Sequence, residues 1–209
     1  MMNPDSARVC IIDYGSGNIT SVNNIFASIS GAVKVSNEKE DIENATHLVL
    51  PGVGAFGVAM DKIKGLKHFD VLQNNVLERK KKFLGICIGM QVLAEKGYEH
   101  GTYSGLGWIS GEVKKLDSKG LPLPHVGWNN LLVNYQNPLL DGMDDEVDFY
   151  YVHSYYFDAK EENHVLAYCD YGMKFPAIIN RENIYGVQFH PEKSQRAGVK
   201  LLRNFLSSQ

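Results

Sequence analysis

The chain has 209 residues, 44% of them hydrophobic, with 21 basic against 24 acidic side chains and a formal net charge of −3. That balance excludes disorder and fibre, and a chain of this length buries roughly 70% of its unfolded surface, enough for a core without disulfides or structural metal. The basic residues are scattered apart from a short run at 79–82, so no footprint for nucleic acid is present, and no apolar stretch approaches the roughly 18–20 residues of a membrane span.

Residues 8–13 contain the apolar run Val9, Cys10, Ile11 and Ile12, the pattern of a strand buried on both faces, followed by the turn signal Gly15-Ser16-Gly17. A helix is predicted next, with Asn18 as N-cap and Ile19, Val22, Ile25, Phe26 and Ile29 at helical spacing until Gly31. Val33 and Val35 mark a second strand, and Leu48, Val49 and Leu50 a third that breaks at Pro51-Gly52. The span 66–82 carries a helical period through Phe69, Leu72, Val76 and Leu77, and Phe83-Leu84 make a short strand before Gly85. Alternation of this kind builds a parallel sheet covered by helices, with ligands beyond the carboxyl ends of the strands.

The second half changes to β-rich segments at 108–116, 126–133, 149–157, 165–170, 175–180 and 184–189, and a last helix follows Ser194 as N-cap, with Val199, Leu202, Phe205 and Leu206 on one face. No repeat or Pro-rich linker interrupts the chain, so the β-rich half is expected to extend the same sheet within one domain, 1–209.

The sharpest local signal is Gly85-Ile86-Cys87-Ile88-Gly89, after an apolar strand and before the helix-compatible residues 90–94. Glycines two residues either side relieve crowding in a sharp strand-to-helix turn, which holds the central side chain up in a strained conformation. The N–H groups of the following helix would favour the thiolate of Cys87, and the Ile88 N–H is available as an oxyanion donor. An arbitrary cysteine is more often a buried structural one; the double glycine and its setting reverse that preference. A thiolate that makes and breaks an acyl bond needs a proton shuttle. The best candidate is His190 in Gln188-Phe189-His190-Pro191-Glu192, where Pro191 restricts the turn that brings the Glu192 carboxylate back to orient the imidazole.

The loop Pro51-Gly52-Val53-Gly54 should sit on the same sheet edge, where glycine lets backbone N–H groups approach a developing oxyanion; a plain strand-to-helix turn is the alternative. Metal is not expected, because neither Cys-x-x-Cys nor His-Glu-x-x-His spacing occurs, and no cofactor loop is complete, since Gly15-Ser16-Gly17 lacks the third glycine of a dinucleotide fingerprint. Cys10, Cys87 and Cys169 are an odd number at wide spacing, and residues 1–6 are too polar for a secretory signal. Both features suit a reducing, cytoplasmic setting.

These residues resemble the class I glutamine amidotransferases with a Cys-His-Glu triad, and within them the glutaminase subunits that serve imidazole glycerol phosphate synthesis. The resemblance runs through Ile12-Asp13-Tyr14-Gly15-Ser16-Gly17-Asn18, Pro51-Gly52-Val53-Gly54-Ala55-Phe56, Gly85-Ile86-Cys87-Ile88-Gly89-Met90-Gln91, Leu123-Pro124-His125-Val126-Gly127-Trp128-Asn129, His153-Ser154-Tyr155 and Gln188-Phe189-His190-Pro191-Glu192-Lys193-Ser194. Ile88, where leucine is more usual, is the one departure. The resemblance implies a flavodoxin-like, mostly parallel sheet flanked by helices with a β-rich extension. It implies that Cys87 attacks the side-chain amide of L-glutamine, with His190 as proton shuttle, Glu192 orienting it, and oxyanion donors at Ile88 and the Gly52–Val53 peptide. It places the substrate on Gly54, Gln91, Glu99, Ser154 and Tyr155.

It further implies a heterodimer with a (β/α)₈-barrel cyclase that receives the ammonia, with Asn18, Trp128 and Lys193 at the interface; read by residue type alone, Trp128 is a core aromatic and Lys193 a solvated charge. Other readings stay open at this stage. A related glutaminase could feed ammonia to amidation of a surface-polysaccharide sugar, and a flavodoxin-like module could use Cys87 as an oxidisable sensor or in binding. A glutaminase of pyridoxal phosphate synthesis lacks support, because no Gly-Gly-Glu-Ser segment occurs.

Overall fold

A computed structural model describes residues 4–15, 17–143 and 147–207; Ser16 of the first predicted turn lies outside them. In chain order the elements are β1 (Arg8–Ile12), α1 (Ile19–Ala27), β2 (Ala32–Ser36), α2 (Lys39–Asn44), β3 (His47–Gly52), α3 (Phe56–Lys64), α4 (Phe69–Leu77), β4 (Lys82–Cys87) and α5 (Ile88–Gln91). There follow β5 (Lys96–Gly97), β6 (Tyr103–Ser104), β7 (Gly111–Lys115), β8 (His125–Asn130), β9 (Leu132–Val133), β10 (Asp148–His153), β11 (Tyr155–Ala159), β12 (Val165–Asp170), β13 (Lys174–Arg181), β14 (Ile184–Val187) and α6 (Gln195–Ser207).

Among the described residues, eight strands form one sheet in the order β2-β1-β3-β4-β14-β13-β12-β9. The run from β2 to β14 is parallel, and β13, β12 and β9 continue it antiparallel. The continuous apolar runs explain the centre. All of β3 is buried, as are Phe83 to Cys87 of β4 and all of β14, which suits strands covered on both faces.

The β-rich half extends this sheet only in part, which corrects the expectation that it would do so throughout. β8 and β10 form a separate antiparallel ribbon, and β5, β6, β7 and β11 a small four-stranded sheet. The difference lies in periodicity: β8 and β10 alternate between buried and more exposed positions, the mark of a strand with one face in the core, whereas β12, β13 and β14 bury successive residues.

Local chemistry accounts for the other departures. α2 has Ile42 as its only buried residue, and α3 buries Phe56, Ala59, Met60 and Ile63 at helical spacing, a period the sequence reading passed over. α4 is shorter than 66–82 because Lys80 turns left-handed (φ 54°) and Lys82 already belongs to β4. The helix expected over 90–94 is the single turn of α5, starting two residues earlier. Asn18 does occupy the N-cap position of α1, but in a left-handed conformation and without a side-chain capping bond. The Ser194 hydroxyl donates to the His190 carbonyl (2.6 Å) and accepts from the Tyr150 N–H (3.0 Å).

Register then fixes the functional edge. Gly52 pairs with Cys87 across β3 and β4, and Val187 pairs with Ile86 across β14 and β4. Three adjacent parallel strands therefore end together, carrying the Gly52–Val53 loop, Cys87 and the 188–192 segment.

Candidate active site

Cys87 ends β4 at φ 55°, ψ −109°, a strained conformation for a residue with a side chain. The flanking glycines are required by close approach: a Cβ on Gly89 would stand 1.8 Å from the Leu50 carbonyl oxygen, and one on Gly85 2.2 Å from the Gly89 oxygen. The helix behind the thiol is one turn long, so its electrostatic help comes from the first N–H groups, beginning at Ile88, more than from a long macrodipole. Cys87 is 4% exposed; its Sγ lies 3.9 Å from the Val152 carbonyl and receives the Gln188 Nε2 at 3.8 Å.

His190 is held by its backbone N–H to the Tyr150 carbonyl (2.8 Å), and the chain then enters a 3₁₀ turn opened by Pro191. The turn brings Glu192 Oε1 to 2.7 Å from His190 Nδ1, with both side chains buried. Asn18 Nδ2 donates to the same carboxylate oxygen. A carboxylate accepts, so Nδ1 carries the proton and Nε2 is left for the thiol. Burial works to depress the imidazole pKa, but hydrogen bonds to Cys87 and Glu192, with the attraction of both charges, outweigh it and raise His190 to about 10. The arrangement therefore favours the protonated imidazole, placed between the thiol group and the carboxylate.

Cys87 and His190 open on a cavity of about 170 Å³, smaller than the roughly 300 Å³ at which drug-sized pockets begin and suited to a ligand of amino-acid size. Of the residues predicted to hold the substrate, Gly54, Gln91, Glu99, Ser154 and Tyr155 all border it, as do Val53 and Ile88; Gly52 lies beside Cys87 in the strand register. Gln91 Nε2 donates to the Tyr155 carbonyl and to Gln188 Oε1, both at 2.9 Å, while its buried Oε1 has no protein partner. That oxygen is a buried acceptor without a protein partner, on a residue that borders the cavity. Glu99 receives the Phe56 N–H at 2.8 Å, which stakes its carboxylate at the start of α3 beside the cavity.

The three residues predicted at an interface are not gathered by one contact. Trp128 is 47% exposed rather than a core aromatic, and meets the Tyr150 ring edge-on at 5.8 Å. Lys193 is exposed, borders the cavity and places Nζ 5.7 Å from the same Tyr150 ring. Asn18 faces Glu192. Sequence reasoning missed the parts played by Asn18 toward Glu192 and Gln188 toward Cys87. The second was open to a period-two argument, since 188 and 190 share a side of an extended segment.

A larger groove of about 850 Å³ runs between α1 and α6, with Arg196, Lys200 and Arg203 along it. It meets the cluster only at Glu192, and neither cysteine nor histidine lines it. Among the described residues, no group of three or more His, Cys, Asp or Glu could hold a metal, and no helix is long and apolar enough to cross a membrane.

Comparisons agree with this geometry. The chain is 45% identical to the imidazole glycerol phosphate synthase subunit HisH 1 of Campylobacter jejuni (strain RM1221), over 95% of this chain and 98% of that protein. It is 42% identical to the HisH subunit of Leptospira interrogans, over 94% and 98%. The fold is shared with two solved structures from Thermotoga maritima, PurLQS (TM-score 0.76, 17% identity, 96% and 98% covered) and a glutamine amidotransferase (TM-score 0.69, 18% identity, 97% and 99% covered). With the family model for class-I glutamine amidotransferases matching residues 10–208, over the sheet, the elbow and the His190–Glu192 turn alike, the chain belongs to the class-I glutamine amidotransferase family.

Proposed function

We propose that this chain is the glutaminase subunit of an imidazole glycerol phosphate synthase, acting in histidine biosynthesis as a single amidotransferase domain over 1–209. The reading is supported by Cys87 and His190 bordering one amino-acid-sized cavity, with Glu192 bonded to His190, in a chain 45% identical to a HisH subunit along nearly its whole length. In this reading the Cys87 thiolate attacks the glutamine side-chain carbonyl, and the oxyanion is met by the Ile88 N–H and the Gly52–Val53 peptide. His190 gives its proton to the departing ammonia, leaving a thioester. It then takes a proton from water as the water attacks, releasing glutamate and the thiolate. Glu192 holds the imidazole tautomer throughout. Glu99 suits the substrate ammonium by charge, and Gly54, Gln91, Ser154 and Tyr155 complete the cradle.

The ammonia passes to a cyclase of (β/α)₈-barrel form, docked over Asn18, Trp128 and Lys193; the exposure of Trp128 and Lys193 supports that placement. Glutamate production should rise when the cyclase and its nucleotide are added and vanish in Cys87→Ala; an undiminished Cys87→Ala rate would remove the nucleophile from the scheme. A second acceptor is favoured by one observation, that relatives in Campylobacter jejuni and Pseudomonas aeruginosa bear the numbered names HisH 1 and HisH 2. A paralogue could serve sugar amidation. Rescue of a histidine auxotroph lacking its own glutaminase is expected here, and failure despite good expression would favour the sugar acceptor.

A further inference from the structure

At the cavity wall, which His153 borders, two imidazoles face each other across the ribbon. His125 and His153 are opposite in the β8–β10 register and only 2% and 5% exposed. His125 Nδ1 lies 3.1 Å from His153 Nε2, and His153 Nδ1 lies 2.9 Å from the Tyr155 carbonyl oxygen. A carbonyl only accepts, so His153 carries its proton on Nδ1. The neutral ring then has a bare Nε2, and the proton between the rings belongs to His125 Nδ1.

A second arm meets the first at the Tyr155 carbonyl and runs from Gln91 toward the thiol. The Tyr155 carbonyl also accepts from Gln91 Nε2, that nitrogen donates to Gln188 Oε1, and Gln188 Nε2 reaches Cys87 Sγ. Turning the Gln91 amide over would set its oxygen against the Tyr155 carbonyl, which only accepts, so Oε1 is the atom left without a partner. Aromatic rings fix the pair: His125 stacks on Tyr171 with centroids 3.9 Å apart, and His153 meets Phe175 edge-on at 4.9 Å. Burial pushes His125 down to about 4 and His153 to about 3, so both stay neutral near pH 7. Among the described residues, the titratable groups facing them are each other, His190 and the phenols of Tyr151 and Tyr171, with no carboxylate acting on either ring.

We propose that His125 and His153 are positioning residues for the ligand of this cavity: as neutral rings of fixed tautomer they hold the Tyr155 carbonyl, and through it the Gln91 amide, so that Gln91 Oε1 is presented to an incoming amide or ammonium. The inference rests on the glutaminase reading for the identity of that ligand, not for the hydrogen-bond direction.

The test uses the full chain, ¹⁵N-labelled, with two readouts. Imidazole ¹⁵N shifts report the tautomers directly, and glutamine protection of Cys87 against iodoacetamide reports affinity without needing turnover. His125→Phe keeps an aromatic ring but deletes the donor, while His125→Asn restores an N–H near the place of Nδ1. Expected are a His153 protonated at Nδ1 in the parent chain, protection by glutamine weakened about five- to tenfold in His125→Phe, and recovery in His125→Asn. The unprotected alkylation rate should stay within about twofold, as for a role in binding rather than in thiol activation. A His153 protonated at Nε2, undiminished protection in His125→Phe, or an Asn variant as weak as the Phe variant would each overturn the proposal. If His125→Phe does not fold, the parent tautomer and the Asn variant still decide. If glutamine fails to protect the parent chain at all, the glutaminase reading falls, and the ¹⁵N tautomers judge the hydrogen-bond direction separately.

Discussion

Glu192 spends its Oε1 on two donors, His190 Nδ1 and Asn18 Nδ2, so a single atom orients the imidazole and is itself oriented by the first helix. Glu192→Gln presents the imidazole with an amide that can turn a donor toward Nδ1 and favour the wrong tautomer. Glutamate release is expected to fall by about 10² to 10⁴-fold with glutamine KM within a few-fold; a variant within tenfold of the parent would show that the carboxylate does not set the tautomer. Asn18→Ala removes only the outer support and is expected to lower kcat about tenfold, a loss that steady-state assays can separate from KM. At this scale the strained strand-to-helix elbow at Cys87 was legible, because two glycines around a cysteine leave few other uses for the pattern. The Asn18–Glu192 bond was not, since it joins residues 174 positions apart and nothing local in either segment announces it.

At the scale of elements, the turn at Cys87 depends on a helix pressed against a neighbouring strand. Gly89→Ala would drive a methyl into the Leu50 carbonyl, at 1.8 Å from its oxygen. Backbone must move to relieve it, so a loss of at least about 3 kcal/mol in urea unfolding is expected, together with loss of Cys87 reactivity; a stable and reactive Gly89→Ala would contradict the packing. The elements legible in the sequence were those with continuous apolar runs or a clear period, such as β1, β3, α1 and α6. The polar α2 escaped because Ile42 alone faces the core. β8 and β10 were legible only as β-rich segments; their half-exposed alternation and their pairing with each other instead of the large sheet emerge from the tertiary structure.

For the whole molecule, three histidines are buried as neutral rings. Desolvation lowers His47 and His125 to about 4 and His153 to about 3, against an ordinary value of 6.5. Above pH 6.5 all three are neutral in both states and contribute no pH dependence. Below it the unfolded chain takes up protons the fold refuses, so stability falls as pH falls toward about 4, at up to about 1.4 kcal/mol per pH unit for each group. His190 has the opposite sign: its raised pKa gives stability fully present below 6.5 and lost as pH rises through about 10. Urea unfolding across this range should show a maximum between the two limbs, and a flat acid limb would argue against the buried neutral rings. The proposed partner surface is also a whole-molecule matter. Trp128→Ala should weaken cyclase binding by about 2 kcal/mol or more in titration calorimetry while leaving the melting temperature of the free chain nearly unchanged.

The most direct measurement is labelling of the full chain by a glutamine-analogue chloroketone, read by peptide mass spectrometry. A single adduct on the peptide containing Cys87, slowed by free glutamine and absent from the buried Cys10 and Cys169, is the predicted result. Equal labelling of all three thiols, or a Cys87 adduct that glutamine does not slow, would contradict a glutamine-specific nucleophile at this site.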